Sequence, residues 1–120
     1  MALPTNKEVL ISSVLATEDL IYPNRFVKTN GKVAGAGEKV YGILTEKTLD
    51  TQMAPVVVMG EYAVESGATI TAGDTLKSGA LGVAIKDTDD TFGYIGTNSA
   101  AVALEGCTGS GILIKCRIPA

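Results

Sequence analysis

Three stretches of the chain hold residue types from which a chemical site could be built: VESGATITAGDTLKSG at 64–79, DTDDT at 87–91 and GCTGSG at 106–111. The first has the glycines and the Asp-Thr pair of a phosphate-cradling loop. Such a loop needs four residues between its glycines, so that successive N–H groups curl around the phosphates, then a Lys for charge and a Ser or Thr for magnesium. Here five residues separate Gly67 from Gly73, and Asp74 stands where the lysine belongs. Its carboxylate would repel a phosphate. The same residues read better as β structure: Ala68-Thr69-Ile70-Thr71 as a strand, Ala72-Gly73-Asp74 as a turn, and Thr75-Leu76-Lys77 as the next strand.

The other two stretches fail similar tests. A dinucleotide-binding glycine motif must open a helix whose N-terminus receives the pyrophosphate, but GCTGSG runs into the alternating segment Ile112–Ile118, a strand. A calcium loop beginning at Asp87 would need Gly at its sixth position and Glu at its twelfth; Phe92 and Asn98 stand there, so a solvated acidic turn is expected. The chain has no histidine, which removes the commonest general base and zinc ligand. Cys107 and Cys116 have no sequence neighbour to lower their pKa. Two cysteines are too few for a disulfide framework, and free thiols are expected. Glu61 with Glu65, or Asp74 with Glu105, could form carboxylate pairs, but nothing in the sequence brings them together. The expectation is a non-enzymatic protein with no cofactor and no bound metal.

The elements around these stretches are short strands. At 120 residues the chain is one ordinary domain, and with no Trp and two Phe its core should be aliphatic. The net charge is -3 and the basic residues are scattered, so the stripe a nucleic-acid partner requires is missing. The N-terminus lacks a basic segment followed by an unbroken apolar one, and no window reaches the ~18 apolar residues of a membrane span. Neither a signal peptide nor a membrane partner is expected.

Glycines recur through the second half, and Val-, Ile- and Thr-rich runs lie between them. Strands are predicted at Arg25–Lys28, Val40–Leu44, Val56–Met59 and Ile112–Ile118, the last with Ile112, Ile114, Cys116 and Ile118 inward. Pro23-Asn24 and Asn30-Gly31 read as turns and 50–54 as a loop. Residues 6–20 form either a short helix or an extended arm. The sequence therefore predicts an all-β fold, a small β-barrel or β-sandwich of short strands with glycine-rich turns. It divides into an N-terminal arm over 1–22 and a β domain over 23–120.

The order of features over residues 25–118 resembles the small capsid cement or head decoration proteins of tailed bacteriophages. The segments that carry the resemblance are Tyr41-Gly42-Ile43-Leu44, the block from Val57 to Gly60 with Val64 to Gly67, the run Ile70, Gly73, Asp74 and Leu76, and the closing Ala101–Glu105 with Gly111–Ile114. Where the family's closing block opens on glycine, this chain has Ala100-Ala101. The resemblance implies a structural virion protein, made in the host cytoplasm and placed on the outer capsid surface. It also implies the major capsid protein as partner and a homotrimeric state.

A cement protein needs a compact core and an edge or arm that can add to a partner's sheet. Val9, Leu10, Ile11, Val14, Leu15, Leu20 and Ile21 give the N-terminal segment more apolar surface than a free tail would carry, which makes them the candidate capsid-binding residues. The competing reading packs this segment as the first strand or helix of its own domain. Two further functions stay open: another virion β module, in a tail or fibre, and a biotinyl- or lipoyl-like carrier domain using Lys77 or Lys86.

Overall fold

Val56-Val57-Val58 is an unbroken apolar run, the pattern of a strand covered on both faces. In the computed structural model, which describes residues 9–87 and 99–119, this run lies in the longest strand of an all-β fold. The strands are β1 (Leu10–Leu15), β2 (Phe26–Val27), β3 (Gly42–Leu44), β4 (Met53–Glu65), β5 (Thr75–Ser78), β6 (Ala84–Lys86), β7 (Ala101–Ala103) and β8 (Leu113–Ile118). A single 3-10 turn, Ala80–Gly82, joins β5 to β6.

β4 is the spine. Its first half pairs antiparallel with both β1 and β3, and its second half, from Gly60 to Glu65, pairs with β8. Gly60 has φ +117 at the changeover, a conformation open to glycine. From β8 the sheet continues through β7 and β5 to β6. Ala84 of β6 then bridges in parallel to Ser66, directly after β4, and the Gly67 N–H donates to the Ala84 carbonyl at 2.7 Å. The ring β4-β8-β7-β5-β6 is thus nearly closed into a small barrel, a device that removes free sheet edges.

Strand alternation divides the buried side chains between two cores. Adjacent residues of a strand point to opposite faces, and β2, β3 and β4 each bury such a neighbouring pair. Phe26, Ile43 and Val57 enter the main core with Leu76, Ile114, Cys116 and Ile118. Val27, Leu44 and Val56 enter a second core with Ala16, Leu20 and Ala54. Small residues, Ala84, Ala101 and Ala103 among them, line the barrel side, which suits a ring too narrow for large side chains at every inward position.

Several elements differ from expectation in instructive ways. β4 starts at Met53, so part of the predicted 50–54 loop is strand and Pro55 lies inside it, opposite Ser13. Ala68–Thr71 forms no ladder; Ile70 makes a single bridge to Cys107. Ile114, Cys116 and Ile118 face inward as predicted, but Ile112 precedes β8 and is exposed. The helix option for the N-terminal segment is not realised over the described residues: Leu10–Leu15 is a strand. Its β-branched residues suit a strand, and the ladder to β4 stabilises it where weak helix propensity could not.

The turns follow the sequence more closely. Lys28 N–H donates to Lys32 O at 2.8 Å across Asn30-Gly31, and Val27 bridges to Val33. Gly31 has φ +81, and a Cβ there would overlap the Leu15 carbonyl oxygen.

Candidate functional site

Where the structure describes them, the stretches with residues capable of chemistry are occupied with shape. Asp74 Oδ2 accepts from the Thr71 N–H at 2.9 Å, and the Asp74 N–H donates to Thr71 O at 3.0 Å. The carboxylate therefore closes the turn around Gly73, with Lys86 Nζ 4.0 Å away. Lys77 lies inside β5 opposite Ile85, and Lys86 ends β6. Lys77 is therefore held within a strand rather than at a hairpin tip, where a carrier lysine is displayed. Of the acidic turn only Asp87 falls among the described residues; it is buried and accepts from the Ser99 hydroxyl.

The loop between β7 and β8 is tied down by Ser66. Its hydroxyl donates to Gly109 O at 2.8 Å and accepts from the Ile112 N–H at 3.1 Å. Cys107 sits in this loop, with Sγ 3.3 Å from Gly109 O and 3.5 Å from Ala68 O. Burial pushes its thiol up, but hydrogen bonds to the Ser66 side chain and to the backbone of Gly109 and Ile70 outweigh that, and the net direction is downward. Sequence spacing could not show Ser66 as its neighbour. Burial alone pushes the Cys116 thiol up to about 12. Both thiols are free. Among the described residues no three His, Cys, Asp or Glu side chains gather as a metal site.

What the fold does assemble is an apolar edge. β1 pairs with β4 on one side, and among the described residues no strand pairs with its other edge. Leu10, Ile11 and Leu15 are each more than half exposed, and Ile21, beyond the strand, is 51% exposed. Val9 and Val14 are half-buried against the main and second cores respectively. Leu20 is only 3% exposed and belongs to the second core, so it is not part of the exposed edge; the bridge between Leu20 and Thr48 holds it inward.

The ladder also brings out residues the sequence did not single out. Met53 lies opposite Leu15 and Met59 opposite Leu10, both more than half exposed. The signal was the register of β1 on β4, which pairs residues far apart in sequence. Tyr22 and Leu81 are exposed as well. Long exposed apolar edges are a liability for a lone protein and an asset for one that docks.

No family model and no curated protein matches the chain. Among solved structures the fold is similar to the N base of head fiber gp8.5 of bacteriophage phi29. The TM-score is 0.66 at 16% identity, over 92% of this chain and 94% of that one. Likeness at that identity is a likeness of fold: the small barrel with its N-terminal layer is an architecture that a phage head protein also uses.

Proposed function

We propose that the chain is a structural protein of a bacteriophage virion that binds the outer surface of the head and stabilises it as a cement or decoration subunit. The observation that carries this reading is the fold likeness to a head fiber base over nearly the full length of both chains. The outer edge of β1, to which no strand pairs among the described residues, supports it, because such an edge with Leu10, Ile11 and Leu15 exposed can extend a partner's sheet. Repeated copies on a lattice add modest contacts into firm attachment. The major capsid protein is the proposed partner and a homotrimer the proposed state. A second reading, the base of a head fibre, is favoured by the same likeness.

Mixing the purified chain with undecorated expanded heads and reconstructing the particle tests this. Density at regular positions on the shell, three copies together, is expected. Bare heads at saturating protein, or density on tails alone, overturn it. Ile11→Asp with Leu15→Asp should abolish decoration while the barrel stays folded.

A further inference from the structure

Beside the second core the fold leaves an apolar pocket of about 300 Å³, roughly twice the volume that suffices to take a benzene ring. Its floor is Leu20, Val27 and Leu44, each 3% exposed or less. Its mouth is formed by Ile21, Tyr22 and Leu81, each more than half exposed.

Leu81 is held there against backbone preference. It adopts the left-handed region, φ 58 and ψ 30, which L side chains disfavour. The next residue, also at positive φ, is glycine. A large apolar side chain kept exposed in a strained conformation points to a use for it. Arg25 fixes the segment, donating from Nη1 to Leu81 O at 3.3 Å.

The electrostatics of the mouth select the occupant. Arg25 is already satisfied: its Nε and Nη2 donate to Glu65 at 3.4 and 3.0 Å, and its guanidinium lies 4.4 Å from the Tyr22 ring centroid. Among the described residues, the two carboxylates that line the pocket are engaged only by backbone. Glu18 Oε2 accepts from the Val33 N–H at 3.0 Å, and Asp19 Oδ1 accepts from the Asp50 N–H at 2.9 Å. Neither has an ion-pair partner among the described residues. The mouth is therefore net negative around an apolar hole.

We propose that this pocket docks a polypeptide segment of a partner protein that presents a large apolar side chain beside a lysine or arginine. The side chain fills the pocket against Ile21, Tyr22 and Leu81, and the cation meets Glu18 and Asp19. The inference goes beyond the head-binding reading, since it concerns the chemistry of the bound segment whichever particle that segment comes from.

The test is selection of a random peptide display library on the immobilised full chain, followed by affinity measurement with the enriched peptides. Enriched sequences should place Leu, Ile, Met or an aromatic next to Lys or Arg. Leu81→Glu should weaken them at least about tenfold, and Asp19→Lys at least about threefold, as fits a rim charge. Leu81→Gly relieves the strain, so it should melt no lower than wild type and still bind about tenfold more weakly. Acidic or absent enrichment, unchanged affinity in the stable Leu81→Gly protein, or tight binding of a small apolar dye without any peptide enrichment each overturns the proposal. Heads that go undecorated while these peptides still bind count against the head-binding reading alone.

Discussion

The barrel ring and the N-terminal layer share β4 but handle their surfaces in opposite ways. In the ring, β6 returns to the end of β4 through Ala84 and Ser66, and the exposed large apolar residues among those described are Leu81, in the turn between β5 and β6, and Leu104, Ile112 and Leu113, around the loop that enters β8. In the layer, no described strand pairs with the outer edge of β1, and Leu10, Ile11, Leu15, Ile21, Tyr22, Met53 and Met59 are all exposed. Closure gives the ring self-sufficiency. The layer spends its apolar residues on a small second core and on surface, which is the division expected of a scaffold carrying a docking face.

The largest effect that probes this difference is truncation of each core. Leu76 is fully buried in the main core and Leu44 almost fully in the second. Each change to Ala should cost about 2–5 kcal/mol. Leu76→Ala should lower the melting temperature and deprotect amides throughout, while Leu44→Ala should raise hydrogen exchange in β1 and leave β7 and β8 protected. Equal deprotection of both regions by Leu44→Ala would show that the two cores open as one unit.

The ring was more legible in the sequence than the layer, for reasons visible at particular residues. Ile114, Cys116 and Ile118 alternate with Lys115 and Arg117, a local pattern that fixes which face is buried. Asp74 sits three residues after Thr71, close enough for a turn to be read directly. Leu10–Leu15 has no such local signature, because what makes it a strand is its register on β4. Of the seven residues proposed there for docking, the structure buries Leu20 through a bridge to Thr48, a pairing that sequence spacing does not encode. The pocket under Leu81 depends on four segments meeting, residues 18–27, Val33, Leu44 and Leu81, and is invisible in the sequence for the same reason.

A smaller effect isolates the seam between the regions. Gly31 and Gly73 both have positive φ, but a Cβ on Gly31 would overlap the Leu15 carbonyl oxygen, whereas one on Gly73 meets nothing within 4 Å. Gly73→Ala should cost about 1 kcal/mol, the backbone term alone. Gly31→Ala should cost about 2 kcal/mol or more and unseat the end of β1, since the Gly31 carbonyl also receives the Thr17 N–H at 3.1 Å. Denaturant titration of the two variants checks this. Equal losses would mean that β1 is not anchored through this contact.

The probe that alters no residue of the layer is pH, read through Cys116 inside the main core, with no effect from this group near neutral pH. Its folded pKa of about 12 lies above the ordinary value of 9.0. Below pH 9 folded and unfolded chains both keep the proton, so the stabilisation is fully present. Between pH 9 and 12 the unfolded chain releases the proton and the folded chain does not, so stability falls as pH rises, by about 1.4 kcal/mol per pH unit from this group. Lysines and tyrosines titrate in the same window, so the measurement is the difference in slope between wild type and Cys116→Ala. At pH 8 iodoacetamide should modify Cys107 first, since its thiol is shifted downward and only half-buried. Cys116 should react only as fast as the ring opens. If it reacts at the rate at which β1 amides exchange, the ring is no more closed than the layer, and the contrast between them fails.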